Sequence, residues 1–185
     1  MRVGQIVEDT EAEGPGRRFA VWVQGCTLAC PGCCNPHLFN SRGGDLVEVS
    51  ALLARVAAVE GLEGLSVLGG EPFQQAPAVG ELCAGAHALG LSVMVFSGYT
   101  LAELQAMAAP LEHVDLLVDG RFDAGRLDTS RRWVGSTNQQ LHLLTERGRA
   151  DAPRFASPNT VEIRLTREQL TVNGWPAASQ VVRRW

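Results

Sequence analysis

Leu65-Ser66-Val67-Leu68-Gly69-Gly70, Leu91-Ser92-Val93-Met94-Val95-Phe96-Ser97-Gly98 and Val114-Asp115-Leu116-Leu117-Val118-Asp119-Gly120 are three short apolar runs, and each ends on glycine. A short apolar run bounded by turn residues reads as a strand buried on both faces. Between the first two runs, residues 75–89 place Val79, Leu82, Cys83 and Ala86 on one stripe closed by Gly90, the pattern of an amphipathic helix with a glycine stop. Between the second and third, Thr100 and Glu103 have capping-box spacing at the head of a short helix that must stop near Pro110. Strands alternating with helices in this way predict repeated βαβ units and a mainly parallel sheet.

Working toward the N-terminus, Phe19-Ala20-Val21-Trp22-Val23 is another buried strand, ending at Gly25. Leu52, Leu53, Val56 and Val59 follow helical spacing, with Ser50 as the expected N-cap and Gly61 as the stop. Residues 8–18 read as a polar, turn-rich entry, and Ser41-Arg42-Gly43-Gly44 as a further turn. Past Gly120 the pattern weakens to a short strand at Leu141-His142-Leu143-Leu144 and a polar connector to Asn159. Val161-Glu162-Ile163-Arg164-Leu165, then Leu170-Thr171-Val172 with Asn173-Gly174, suggest a C-terminal antiparallel β-hairpin. The tail Arg183-Arg184-Trp185 reads as a frayed end rather than a site.

The 185 residues suit one domain, 1–185. With 45% hydrophobic and 19% charged residues and a net charge of -4, the chain is an ordinary globular one. A nucleic-acid grip built on bulk charge is disfavoured. All 16 basic residues are arginine. No run approaches the ~18 apolar residues of a membrane span, and Met1 to Gln5 lack the apolar segment of a signal peptide. The expectation is a cytoplasmic protein without a membrane partner, and in that reducing compartment clustered cysteines read as metal ligands or catalytic thiols.

Four of the five cysteines lie between positions 26 and 34. Cys26, Cys30 and Cys33 are spaced C-x3-C-x2-C, with Cys34 adjacent. Four-thiolate zinc is the rival reading, but Cys33 and Cys34 are poorly placed to bind one tetrahedral ion together, and paired C-x2-C knuckles are missing. Three ligands on one loop suit three corners of a cubane iron-sulfur cluster, leaving the fourth iron open. Gly69-Gly70-Glu71-Pro72, at the end of a strand, reads either as a plain strand-to-helix turn or as exposed peptide groups and a carboxylate able to take a ligand ammonium. Cys83 reads as core, Trp133 and Phe122 as packing residues, and His37, His87, His113 and His142 as structural or exposed. Arg17 and Arg18 read equally as a solvated pair or as a grip on a partner or cofactor.

Taken in order, these residues resemble the radical S-adenosylmethionine (SAM) superfamily, most closely its small glycyl-radical activating enzymes of the anaerobic ribonucleotide reductase type. The likeness runs through Glu13-Gly14-Pro15-Gly16-Arg17, Gln24-Gly25-Cys26, Cys30-Pro31-Gly32-Cys33, Asn35-Pro36 and Gly69 to Pro72. It continues through Ser97-Gly98-Tyr99-Thr100, Val118-Asp119-Gly120-Arg121-Phe122 and Gly135-Ser136-Thr137-Asn138-Gln139. The resemblance implies an α/β fold, an incomplete TIM-like β/α barrel, with a 4Fe-4S cluster on Cys26, Cys30 and Cys33. It implies SAM held by Gly69, Gly70 and Glu71, by Ser97 and Gly98, by Asp119 and Arg121, and by Asn138. Reductive cleavage of SAM to a 5'-deoxyadenosyl radical would then abstract hydrogen from a protein or peptide substrate, with electrons from a flavodoxin- or ferredoxin-type donor. Two other readings keep the cysteines: radical modification of a peptide or small metabolite, and a non-catalytic iron-sulfur electron-transfer protein. The chain departs from the family at Gly32, where relatives usually carry an aromatic residue near adenine, and in having Cys34.

Overall fold

The three glycine-terminated runs are adjacent parallel strands. In the computed structural model, which describes residues 1–165, 167 and 170–174, the elements are β1 (Arg2–Thr10), β2 (Arg18–Val23), β3 (Asp45–Leu46), α1 (Val49–Ala58), β4 (Gly64–Gly69), α2 (Ala76–Ala88), β5 (Ser92–Phe96), α3 (Leu101–Ala106), β6 (Leu116–Asp119), β7 (Gln140–Leu143), α4 (Glu146–Ala150), β8 (Val161–Leu165) and β9 (Leu170–Gly174). The tail Arg183–Trp185 lies outside the described residues. Seven strands form one mixed sheet in the order β3-β1-β2-β4-β5-β6-β7. β2, β4, β5 and β6 are its parallel centre, with antiparallel β1 and β3 on one flank and β7 on the other. β8 and β9 form a separate hairpin. The sheet is open, since β3 and β7 stand at opposite edges. Among the described residues no helix is long and apolar enough to cross a membrane.

Alternation along the strands divides the core. Phe19, Val21, Val23, Leu65, Val67, Val93, Val95 and Leu117 pack against Leu52 and Val56 of α1, Leu82 and Ala86 of α2, and Leu104 of α3. All three crossover helices therefore bury their apolar stripes against one face, each fully buried leucine contributing roughly 1.5–3 kcal/mol. The opposite face carries Ala20, Trp22 and Leu68, then Met94, Leu116 and Val118. Loops cover that face, through Leu38, Trp133 and Phe155.

Several elements differ from the sequence reading. β1 runs mostly through residues the sequence reading left without an element and takes in only Glu8 to Thr10 of the turn-rich entry. Its pairing with β2 shifts register between Val3 and Gln5 and between Val7 and Thr10, so bulges erase the period-two pattern that would reveal a strand. Glu48, rather than Ser50, sits at the N-cap of α1, and the helix stops at Val59 before reaching Gly61. Burial of Val49 against the core draws the helix start toward the N-terminus. The polar connector contains α4 and a 3-10 turn at Ala152–Ala156 whose Phe155 is buried. Asn173 and Gly174 pair with Glu162 and Val161, so they end a strand instead of forming the hairpin turn.

Arg18 is neither solvated nor a grip on a partner. Completely buried, it donates to Ser66 Oγ at 2.7 Å, the Pro15 carbonyl at 2.9 Å, Ser92 Oγ at 2.8 Å, the Leu65 carbonyl at 2.7 Å and the Ser92 carbonyl at 3.0 Å. One guanidinium thus ties the starts of β2, β4 and β5 together. Gly64 is needed beneath it, because a Cβ there would stand 2.3 Å from Arg18 Nη1. Burial lowers the Arg18 pKa to about 10. Arg17 turns outward to Asp9 at 2.7 Å.

Candidate active site

β2, β4, β5 and β6 run in one direction, so the turns that follow them gather at one edge of the sheet, where parallel α/β sheets bind ligands. On the face free of helices these turns enclose a cavity of about 190 Å³. Cys26, Cys30 and Cys33 line it together with Gly69, Gly70, Glu71, Ser97 and Gly98. Asp119, Arg121 and Asn138 lie outside the lining. Phe122 and Trp133, read from sequence as packing residues, both face the cavity, and Trp133 also packs edge-on against Phe155 at 5.1 Å.

The cysteine loop leaves β2 through Gly25, at φ +98°, and is anchored where the Gly25 and Cys26 N–H groups donate to the carbonyls of Leu38 (2.8 Å) and Phe39 (3.2 Å). The Cys33 N–H bonds back to the Cys30 carbonyl at 3.1 Å, making a tight turn. Gly32 occupies that turn at φ +74°, and a Cβ there would come within 2.6 Å of Ala124 Cβ. Geometry therefore excludes an aromatic side chain at this position, which explains the departure from the family pattern. The Asn35 N–H reaches Cys33 Sγ at 3.4 Å. Burial raises the Cys30 pKa, while a bond from the Phe122 N–H and the nearby Arg121 charge oppose the rise. The Cys34 thiol donates to the Cys33 sulfur, and this bond, with burial, holds its pKa far above the usual thiol range.

Three thiols face one cavity and two of their sulfurs accept backbone N–H groups, a donor set that fits an iron-sulfur cluster. Among the described residues no group of three His, Cys, Asp or Glu side chains is drawn tightly enough to hold a single metal ion. A cubane asks for wider spacing, since each thiolate binds a different iron.

Glu71 joins two turns. Its Oε1 accepts from the Phe73 N–H (3.1 Å) and Ser97 Oγ (2.8 Å), and its Oε2 from the Gly98 N–H (2.7 Å). The side chain is 1% exposed, and burial raises its pKa against these three bonds. The two glycines before it permit close backbone contact: a Cβ at Gly70 would lie 2.2 Å from the Gly25 carbonyl oxygen. The turn after β4 therefore presses directly on the start of the cysteine loop, and the Glu71 N–H donates to the same carbonyl at 2.8 Å.

Asp119 is buried and accepts the Leu101 N–H at 2.5 Å, so it holds the start of α3; His142 Nε2 lies 3.0 Å from its Oδ2. Arg121 bonds to the Gly98 carbonyl (3.0 Å) and Glu103 (2.5 Å) and lies over the Tyr99 ring. Asn138 Nδ2 donates to the Arg121 carbonyl at 2.8 Å. Its neighbour Gln139 lines the cavity and fastens the loop, accepting from Gly135 and Ser136 and donating to Gly120. Sequence reasoning also missed Glu13, Trp22 and Phe96 as lining residues. For Trp22 the signal was available, because it alternates with the core-facing Val21 and Val23.

Residues 12–142 match the family described as a 4Fe-4S single cluster domain. The chain is 34% identical over 155 residues to the anaerobic ribonucleoside-triphosphate reductase-activating protein of Salmonella typhimurium, covering 78% of this chain and 99% of that protein. It is 34% identical to the protein of that name from Escherichia coli K12, covering 71% and 91%, and 30% identical to the one from Enterobacteria phage T4, covering 72% and 88%. Likeness over this share of the sequence, together with a cysteine loop facing a cavity at the ends of parallel strands, establishes that the chain belongs to the family of anaerobic ribonucleoside-triphosphate reductase-activating proteins, built on the 4Fe-4S single cluster domain.

Proposed function

We propose that this chain is a single-domain radical SAM enzyme that installs a glycyl radical on an anaerobic ribonucleoside-triphosphate reductase. The observation that carries the reading is one cavity shared by three cysteines of a single loop and by the turns after β4 and β5. Cys26, Cys30 and Cys33 would hold the 4Fe-4S cluster, which when bound supplies a low-potential electron for cleaving SAM to a 5'-deoxyadenosyl radical.

The chain's own residues bind, orient and shield. Gly69 and Gly70 would offer backbone groups to the methionine end of SAM. Glu71, already committed to three donors, keeps the Ser97–Gly98 turn in register with it. Asp119 would act through the start of α3, and Asn138 through the Arg121 carbonyl. Arg121 would pair with the SAM carboxylate only by leaving Glu103, an exposed ion pair of the kind that costs little to open. Aromatic side chains on the cavity wall keep water from the radical.

The open sheet with its crossover helices on one face supports reading the fold as an incomplete TIM-like β/α barrel, whose wide mouth admits a polypeptide. The electron donor would be of flavodoxin or ferredoxin type, and the site of action the cytoplasm. Anaerobic reconstitution with iron and sulfide tests the cofactor half of the reading. Four irons per chain and 5'-deoxyadenosine after dithionite and SAM are expected, whereas a full cluster without SAM cleavage would leave an electron-transfer protein.

A further inference from the structure

Glu71 and Gln74 belong to one 3-10 turn, Pro72–Gln75 with Glu71 at its N-cap, and the Gln74 N–H donates to the Glu71 carbonyl at 3.1 Å. Side chains three apart on such a turn lie on the same side. Glu71 reaches the turn after β5 from within, through Ser97 and Gly98. Gln74 reaches it from the solvent side, its Nε2 donating to the Tyr99 hydroxyl at 3.2 Å.

Gln74 also holds the cysteine loop. Its Oε1 accepts the Thr27 N–H at 3.1 Å, and its Nε2 donates to Thr27 Oγ1 at 2.6 Å. The amide orientation is fixed, because the Thr27 N–H can only donate and so must face the oxygen. Both Nε2 hydrogens are then used, one on Thr27 and one on Tyr99. Thr27 follows Cys26 directly, and Leu28 after it lies against the turn after β5: a Cβ on Gly98 would stand 2.5 Å from Leu28 Cδ1. The stretch from Cys26 to Leu28 is thus seated on the two turns that Glu71 joins, and Gln74 bonds to the loop and to the second turn at once.

Gln74 and Thr27 are both exposed. Surface contacts of this kind add little to global stability, so a clip made of them governs where the loop stands more than whether the fold forms. A ligand that touches both the cysteine loop and the turns binds best when the span between them is set beforehand.

We infer that Gln74 is a positioning residue, fixing the span between the Cys26 end of the cysteine loop and the turns after β4 and β5 so that SAM meets both at once. The inference rests on the reading that SAM binds in this cavity. It gives Gln74 no contact with SAM or with iron.

Two variants test it. Gln74→Leu removes both polar atoms of the clip; Tyr99→Phe keeps the ring beneath Arg121 and removes the hydroxyl. Cluster-loaded proteins are compared by iron analysis, urea unfolding, equilibrium binding of SAM and the rate of 5'-deoxyadenosine formation with dithionite. Gln74→Leu is expected to keep four irons and the wild-type urea midpoint. It should raise the SAM Kd and KM about tenfold, 1.4 kcal/mol, and leave kcat within about twofold, the signature of lost binding alone. Tyr99→Phe should raise the Kd about threefold and add nothing further in the double variant, because its bond runs through Gln74.

A wild-type protein that binds SAM, with Gln74→Leu of equal affinity, overturns the clip alone. Weaker binding that merely tracks a lower urea midpoint also overturns it, as the role would then be structural. If Gln74→Leu assembles less iron, Tyr99→Phe decides, and an affinity equal to wild type refutes the inference. A wild-type protein with four irons and no affinity for SAM overturns the SAM reading and the clip with it.

Discussion

Replacing Glu71 by glutamine keeps the side chain's shape and disturbs the join between the turns after β4 and β5. The carboxylate accepts three hydrogen bonds, two at Oε1 and one at Oε2. Glutamine has one acceptor oxygen. With that oxygen toward Gly98, its NH₂ faces the Phe73 N–H; turned the other way, it faces the Gly98 N–H. Either orientation leaves one buried backbone N–H unpaired, at about 1–3 kcal/mol, and converts the remaining charge-assisted bonds to neutral ones, about 1 kcal/mol each. Relief from burying a charge offsets part of this, leaving a loss of about 2–3 kcal/mol. Urea unfolding under anaerobic, reducing conditions reads it as a lower midpoint at unchanged slope. Because burial raises the Glu71 pKa, the folded chain takes up this proton more readily than the unfolded one, so wild-type stability should rise, and the gap to the variant widen, as pH falls through that range. A Glu71→Gln midpoint equal to wild type at neutral pH would refute the role of this carboxylate as the join.

Three further outcomes follow from the same structure. Arg18→Met leaves the Pro15, Leu65 and Ser92 carbonyls without their donor and should cost about 3 kcal/mol or more in urea unfolding; a loss under about 1 kcal/mol would contradict the brace. Cys30→Ala should abolish cluster assembly while Cys34→Ala retains four irons, read by iron and sulfide analysis; a full cluster in Cys30→Ala would overturn the ligand assignment. Burial pushes the Glu13 pKa from 4.5 up to about 8, so the folded chain holds a proton that the unfolded chain has released across that window. Stability should therefore fall as pH rises from 4.5 to about 8, by at most about 1.4 kcal/mol per pH unit. Glu13→Gln should flatten that slope, and an unchanged slope would exclude Glu13 as its source.

The parallel centre was legible because its strands are buried on both faces and end on glycines, and α3 because its capping box is local. β1 was not, since its bulges break the alternation, and α4 was not, since Glu146 to Ala150 carry no apolar stripe. At the site, the buried strands placed the turns that follow them, while the resemblance singled out residues on those turns; the three cysteines, Gly69 to Glu71 and Ser97–Gly98 line one cavity. Arg121 and Asn138 lie outside the lining, held by Glu103 and by the Arg121 carbonyl, and pairs so far apart in sequence leave no trace in spacing. The β8–β9 hairpin's share of the cavity, through Val172, Asn173 and Gly174, depends on contacts between residues more than 150 positions apart, such as Thr10 with Glu162 and with Asn173. No periodicity encodes contacts of that range.

The central claim is hydrogen abstraction from a polypeptide glycine, and isotope transfer tests it most directly. Reduced, cluster-loaded enzyme and SAM are mixed with the reductase labelled with α-deuterated glycine, then examined by EPR and by mass spectrometry of the nucleoside. The account predicts a glycyl doublet that collapses on deuteration and deuterium carried into 5'-deoxyadenosine. Unlabelled 5'-deoxyadenosine released without any glycyl signal would contradict it.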